Sequence, residues 1–86
     1  MIYEIHLSSS AYDFLKKIEK NQRIRLIKKL ESLSKNPYAK NAKKIVGQKD
    51  TILRIRVGPY RILYEIIERD KVVLIVKIDK RSKVYR

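Results

Sequence analysis

Three arginines interrupt the most apolar stretch of the sequence, TILRIRVGPYRILYEI, which spans residues 51–66. They are Arg54, Arg56 and Arg61. A guanidinium group presents its N–H donors in a planar fork, which suits phosphate and carboxylate groups through paired hydrogen bonds. The arginines therefore suggest a site for a phosphate-containing polymer. Pairing with carboxylates of the chain itself, such as Glu65, is the alternative.

Positive charge extends beyond these arginines. The 86 residues include 22 lysines and arginines against nine acidic residues, for a formal net charge of +13. Residues 36–61 contain a single acid, Asp50, among these basic residues: Lys40, Lys43, Lys44, Lys49, Arg54, Arg56 and Arg61. A domain this basic normally has a polyanionic partner, usually nucleic acid. A lysine-rich surface of a heat-adapted protein is the alternative, but clustering in sequence favours nucleic acid.

Composition argues against several functional classes. The sequence has no cysteine, and hence no disulfide, thiolate metal site or cysteine nucleophile. The carboxylates are scattered, so we expect no metal and no other cofactor. The single histidine, His6, shares a strand face with Glu4, and we expect it to be structural or solvated. No apolar run is long enough to span a membrane and no signal-peptide pattern is present, so we expect a cytoplasmic protein.

The apolar pattern predicts the elements that position these side chains. Residues 2–7, IYEIHL, alternate as a short strand. A first helix follows with a capping box at Ser10, and a second helix, capped by Asn21, ends before Pro37. Each helix has an apolar stripe: Ala11, Phe14, Leu15 and Ile18 in the first, and Ile24, Ile27, Leu30 and Leu33 in the second. The short connection between them predicts an antiparallel helical hairpin.

Three β-rich segments follow, TILRIRV, YRILYEII and VVLIVKI, separated by GP and ERDK. The pattern predicts an α+β fold: an N-terminal strand and a helical hairpin packed on one face of an antiparallel sheet of about four strands, in one domain over residues 1–86. A two-residue turn at Gly58-Pro59 would pair Arg56 with Arg61 and place all three arginines opposite the helices. Proline is disfavoured at the second position of a type I turn, which leaves a wider loop open.

The segment LRIRVGPYRILYEI, the apolar strand after it and the terminal KRSKVYR together resemble the RelE family of toxins from type II toxin–antitoxin systems. The resemblance covers nearly the whole chain, including the basic loop AKKIVGQ. It implies a ribosome-dependent endoribonuclease that cleaves mRNA in the ribosomal A site without a metal. It also implies a cognate RelB-like antitoxin that neutralises the toxin.

The resemblance assigns roles to individual residues. Arg61 matches the family's catalytic strand arginine, and Arg81 and Tyr85 match an arginine and a tyrosine near the C-terminus. Arg54 falls where members often have a basic phosphate-binding residue. The chain departs from the pattern at two positions: some members have lysine in place of Ile52, and many have glycine in place of Asp79.

RNA cleavage without a metal needs a base for the 2′-hydroxyl, charge stabilisation for the phosphorane and an acid for the leaving 5′-oxygen. On the family assignment we expect Tyr85 to be the base, because cations such as Arg81 lower a tyrosine pKa. Arg61 and Arg81 would stabilise the phosphorane, and the acid is unassigned. Arg54, Arg56 and Lys49 are expected to hold substrate or ribosomal RNA, and Lys43 and Lys44 to contact ribosomal RNA only. Without the resemblance, a Tyr85 ring packed on the sheet edge is the simpler interpretation.

Two other functions fit much of the sequence. ParE-like toxins share the architecture but act on DNA gyrase, and they generally lack the cleavage set of Arg61, Arg81 and Tyr85. A non-catalytic RNA- or DNA-binding module would need the basic face but not Tyr85. The presence of the basic face together with Arg61, Arg81 and Tyr85 favours the nuclease.

Overall fold

The computed structural model describes residues 2–45 and 52–80, so Lys49, Arg81 and Tyr85 lie outside the described residues. The elements are β1 (Glu4–Leu7), α1 (Ser9–Lys17), α2 (Lys20–Lys35), β2 (Lys43–Lys44), β3 (Ile52–Val57), β4 (Tyr60–Ile67), a short 3-10 turn (Glu68–Asp70) and β5 (Val72–Lys80). They form one sheet in the order β1-β5-β4-β3-β2. The predicted α+β class is confirmed, but the described sheet has five strands rather than about four.

The sheet is mostly antiparallel, with one parallel pair. β3 pairs antiparallel with both β2 and β4, and β4 pairs antiparallel with β5. β1 pairs parallel with β5 instead. Parallel neighbours require a long crossover connection, and here the helices and three strands separate β1 from β5 in the chain. β1 therefore lies at one edge of the sheet, which the alternation of IYEIHL alone does not reveal.

The helices begin earlier than predicted. Ser8, rather than Ser10, is the N-cap of α1: its hydroxyl accepts a hydrogen bond from Ala11 N at 3.1 Å. The same hydroxyl donates to Val76 O at 2.8 Å, so the cap is selected by its contact with β5. α2 begins at Lys20 after Glu19, which places Asn21 inside the helix rather than at its cap. α2 ends at Lys35, just before Pro37, as predicted.

The helices cover one face of the sheet and form the core with it. From the sheet, the core takes Leu53, Ile55, Ile62, Tyr64, Val73, Ile75 and Ile78. From the helices it takes Ala11, Leu15, Leu26, Leu30 and Leu33. The predicted stripe of α2 is partly wrong, since Ile24 is 44% exposed and Ile27 is 40% exposed. Leu26, Leu30 and Leu33 recur at i, i+4 and i+7, and this stripe faces the sheet.

None of the helices within residues 2–45 and 52–80 is long and apolar enough to cross a membrane.

Candidate nucleic-acid interface

The β3–β4 hairpin has the register that the apolar alternation predicts. Val57 pairs with Tyr60 across a two-residue turn, and Arg56 pairs with Arg61. Gly58 has φ +59°, a left-handed conformation that glycine adopts without strain. A type II′ turn needs positive φ only at its first central position, so proline is tolerated at the second. The wider loop is therefore not needed.

This register places the arginines on the sheet face opposite the helices, which we call the arginine face. Lys43 of β2 pairs with Arg54, and Lys77 of β5 pairs with Leu63, the other cross-strand neighbour of Arg54. Because paired residues share a face, both lysines extend the arginine face. We define the basic cluster as the five cationic residues that strands β2 to β5 place on this face: Lys43, Arg54, Arg56, Arg61 and Lys77.

Three members of the cluster, Lys43, Arg54 and Arg56, line a hollow of about 280 Å³ together with Asn41. Among the described residues, no carboxylate lies within 4.0 Å of the cations of Lys43, Arg54 or Arg56. Like charges directly opposite each other destabilise a sheet, so Arg56 beside Arg61 has a local cost. An anion bound in the hollow would offset that repulsion. The amide of Asn41 adds a neutral hydrogen-bond donor.

Arg61 differs from the other members of the cluster because it has a carboxylate partner. Its Nε donates to Asp79 Oδ1 at 2.9 Å, and its Nη2 donates to Asp79 Oδ2 at 3.0 Å. The two side chains are 17% and 25% exposed. Pairing of these arginines with a carboxylate was the alternative at the sequence level, with Glu65 as the example. For Arg61 that alternative is correct, and the partner is Asp79.

A β-bulge explains why the sequence did not reveal this pair. Counting back from the turn, Ile67 pairs with Val72 and Tyr64 pairs with Ile75. An unbroken ladder would then place Arg61 opposite Ile78. The register shifts between Leu63 and Tyr64, however, and Arg61 pairs with Asp79 instead. One extra residue in β5 moves Asp79 onto the arginine face.

The remaining predicted residues are placed as follows. Lys44 pairs with Leu53, a core residue, so it points to the helix side of the sheet and not to the arginine face. Lys43 and Lys44 therefore cannot contact one phosphate together from the same face. His6 lies 3.0 Å from Glu4, and both side chains are mostly exposed. This placement agrees with the expectation that His6 is structural or solvated.

The opposite end of β4 carries a second polar site, which sequence reasoning missed. Tyr3 donates to Glu68 Oε2 at 2.7 Å, Tyr38 donates to the same oxygen, and Lys71 donates to Oε1 at 3.0 Å. We call this group the tyrosine–glutamate clamp. The hydrogen bonds from Tyr38, Tyr3 and Lys71 lower the pKa of Glu68 to about 2. The bond to Glu68 raises the pKa of Tyr38 to about 12.

The clamp joins parts of the chain that are distant in sequence. Tyr3 precedes β1, Tyr38 follows α2, and Glu68 and Lys71 flank the turn between β4 and β5. Close by along the chain, the buried Tyr64 hydroxyl donates to Pro37 O at 2.7 Å. These contacts hold the loop after α2 against the sheet, so the tyrosines that make them act as structural residues. Nothing in local periodicity predicts such long-range bonds.

Comparison with known proteins agrees with this architecture. The family described as ParE toxin of type II toxin–antitoxin system, parDE, matches residues 5–85. A protein of Methanocaldococcus jannaschii named as a RelE1 toxin is 32% identical over 60 residues, which cover 66% of this chain and 66% of that protein.

Solved structures are similar over nearly the whole chain. The RelE–RelB complex of Pyrococcus horikoshii has a TM-score of 0.83 at 25% identity, covering 96% of this chain and 99% of that chain. The isolated RelE toxin of Escherichia coli has a TM-score of 0.79 at 28% identity, covering 96% of this chain and 90% of that chain. The chain therefore belongs to the ParE toxin family of type II toxin–antitoxin systems, within the RelE/ParE superfamily.

Proposed function

We propose that this toxin is a ribosome-dependent endoribonuclease that cleaves mRNA in the ribosomal A site and so inhibits translation in the cytoplasm. The observation that carries the proposal is the basic cluster. Apart from Arg61, none of its members forms a salt bridge with another described residue. Guanidinium groups without a carboxylate partner are available to phosphate, which they bind through paired hydrogen bonds.

The proposed reaction needs no metal. The 2′-oxygen attacks the adjacent phosphorus and the bond to the 5′-oxygen breaks. The leaving 5′-oxygen takes a proton from an acid to which no residue is assigned, and a cyclic phosphate and a 5′-hydroxyl result. Arg61, together with Arg81, stabilises the charge that develops on the phosphorane oxygens. Tyr85 takes the proton of the 2′-hydroxyl. Arg81 and Tyr85 rest on the family resemblance alone, because both lie outside the described residues.

The other cationic residues would hold RNA rather than react with it. Arg54, Arg56 and Lys43 line or flank the hollow on the arginine face, at the distance of one or two cross-strand pairs from Arg61. Lys44, on the helix side, would contact ribosomal RNA outside the hollow. Lys49, which lies outside the described residues, would also bind RNA. Because the ribosome fixes the mRNA geometry, a modest base suffices, since orientation alone contributes several orders of magnitude to such a reaction.

The proposed partners are the ribosome, mRNA and a RelB-like antitoxin. Support for the antitoxin comes from the RelE–RelB complexes among the similar structures. Neutralisation would require a segment that covers the basic cluster or removes an element needed for cleavage. An acidic segment would suit the net charge of +13.

Primer extension on purified ribosomes tests the proposal. An mRNA with a defined codon in the A site is incubated with the wild-type toxin or with Tyr85→Phe, and new mRNA ends are mapped. We expect cuts confined to the A-site codon and much weaker cuts with the variant. If the mRNA stays intact with wild-type toxin at a concentration at which the toxin is active, the proposal is contradicted.

Inhibition of DNA gyrase is the second candidate, because the matching family carries the ParE description. A supercoiling assay run with the same protein preparation separates the two. The nuclease proposal predicts uninhibited gyrase together with cleaved mRNA. Inhibited gyrase together with intact mRNA would establish the ParE-like function instead.

A further inference from the structure

Among the described residues, Asp79 is the carboxylate that forms a salt bridge with the basic cluster. Its partner in the cluster is Arg61. The contact is bidentate, with donor–acceptor distances of 2.9 and 3.0 Å. Arg61 and Asp79 are directly cross-strand partners on β4 and β5. The pair therefore lies in one row with Arg56, the other cross-strand neighbour of Arg61.

The bulge next to this row brings Asp79 to Arg61. Without the register shift between Leu63 and Tyr64, the residue opposite Arg61 would be apolar. Bulges redirect side chains and are common beside functional sites. A solvated ion pair between two flexible side chains contributes little to stability. A pair that is three-quarters or more covered, with both carboxylate oxygens engaged, instead holds the guanidinium plane in one orientation.

A carboxylate and a phosphate compete for the same kind of donor. Asp79 uses Nε and Nη2, the side edge of the guanidinium fork, which is also an edge that phosphate oxygens bind. Its charge also lowers the positive potential at Arg61. The carboxylate thus has two effects: it orients Arg61, and it weakens the attraction of Arg61 for any RNA phosphate.

We propose that Asp79 is the positioning residue for Arg61 in RNA cleavage, and that it limits the affinity of the arginine face for RNA that the ribosome does not present. The inference rests on the proposed function. It goes beyond that function by giving a role to a carboxylate, whereas the roles proposed above belong to cationic residues and to Tyr85. Removal of the carboxylate should raise RNA affinity and lower the cleavage rate at the same time.

Two variants separate orientation from charge. Asp79→Asn removes the charge and replaces one acceptor oxygen with a donor that opposes Nη2. Asp79→Glu keeps the charge but moves the carboxylate by one methylene. Asp70→Asn is the matched control, because it removes one exposed carboxylate at the far end of the β4–β5 hairpin. Thermal unfolding establishes that each variant is folded.

Two readouts are measured for each protein: the dissociation constant for a short single-stranded RNA in low salt, and the single-turnover cleavage rate of A-site mRNA at saturating toxin. For Asp79→Asn we expect affinity about three- to tenfold higher than wild type and cleavage at least about tenfold slower. For Asp79→Glu we expect wild-type affinity and slower cleavage. Asp70→Asn should change neither by more than about twofold, because a distant exposed charge is screened.

Loss of folding alone cannot produce tighter binding with slower cleavage. The inference is overturned if Asp79→Asn cleaves at the wild-type rate, or if its affinity matches that of Asp70→Asn. If the wild type leaves A-site mRNA intact, the proposed function is wrong, and the role of Asp79 in that function falls with it. If the wild type cleaves A-site mRNA and the Asp79 variants match it in both affinity and cleavage rate, the inference is wrong and the proposed function stands.

Discussion

Strand β4 connects two polar sites that differ in how their charges are satisfied. At its start lies the basic cluster, where Arg56 stands opposite Arg61 and the carboxylate of Asp79 pairs with Arg61 alone among the five cations. Just beyond its end lies the tyrosine–glutamate clamp, where a single carboxylate accepts hydrogen bonds from two tyrosines and a lysine. A site that satisfies itself serves the fold, whereas a site left with excess charge is available to a ligand.

The comparison predicts the largest effect for the cluster. We expect the double variant Arg54→Gln/Arg56→Gln to bind single-stranded RNA at least about tenfold more weakly. The slope of log affinity against log salt should also become shallower by about 1.4, since each phosphate contact on a single strand contributes about 0.7. Fluorescence anisotropy over a salt series measures both quantities. The matched control, Lys17→Gln/Lys20→Gln, removes two exposed charges from the helical layer. Equal losses in the two variants would mean that binding follows net charge rather than the arginine face.

A smaller effect, on stability, is predicted near the clamp. Tyr64→Phe leaves the buried carbonyl of Pro37 without its hydrogen bond while keeping the ring in the core. We expect the free energy of unfolding to fall by about 1–2 kcal/mol, as measured by urea titration, with RNA affinity unchanged. Tyr12→Phe, at an exposed position on α1, is the control and should be neutral. Weaker RNA binding by Tyr64→Phe would show that the two ends of β4 are not independent.

Substitutions in the β3–β4 turn, which sets the register of the arginines, should have the next largest effect on stability. Gly58→Ala forces a side chain into a left-handed conformation and places its Cβ 2.8 Å from Arg25 Nη2, which can move away. We expect a loss of about 1 kcal/mol in unfolding free energy. Gly58→Asn should lose less, because asparagine tolerates positive φ. Equal stability of Gly58→Ala and wild type would argue against the left-handed turn.

The smallest effect is expected for the clamp carboxylate, and it depends on pH. The folded-state pKa of Glu68 is about 2, below its ordinary value of 4.5, so the carboxylate stabilises the fold above that value. This contribution is lost as the pH falls toward 2. Glu68→Gln should therefore have a lower Tm than wild type at pH 7, and the difference should shrink in acid. A constant difference from pH 7 to pH 2 would contradict this account of the clamp.

Local sequence patterns predicted the arginine face but not the carboxylate that pairs with Arg61 on it. Strict alternation from Leu53 to Val57 and from Tyr60 to Tyr64 sets the hairpin register, because a slip of one residue would expose the apolar side chains. Asp79 and the clamp depend on contacts between distant parts of the chain. The bulge beside Leu63 reverses the face of Asp79, and Glu68 meets Tyr3 across 65 positions. The cap of α1 was misplaced for the same reason, since the Ser8 hydroxyl also donates to Val76 O on β5.

The family resemblance contributed what local patterns could not. Without it, Tyr85 is an ordinary C-terminal tyrosine and Arg81 one more cation in a basic tail. The family match over residues 5–85 spans both positions, but it bears on family membership and not on the role of either residue. Their chemistry is still a proposal. The described part of the site, from Lys43 to Asp79, stands on geometry.

Cleavage of A-site mRNA by Arg61→Ala and Arg69→Ala tests the central claim most directly. Both variants remove one arginine associated with β4, Arg61 from the cluster and Arg69 from the exposed turn after the strand, where its side chain is 89% exposed. If the arginine face cleaves RNA, the single-turnover rate of Arg61→Ala should fall at least about a hundredfold while Arg69→Ala stays at the wild-type rate. Cleavage by folded Arg61→Ala at the wild-type rate would contradict the account.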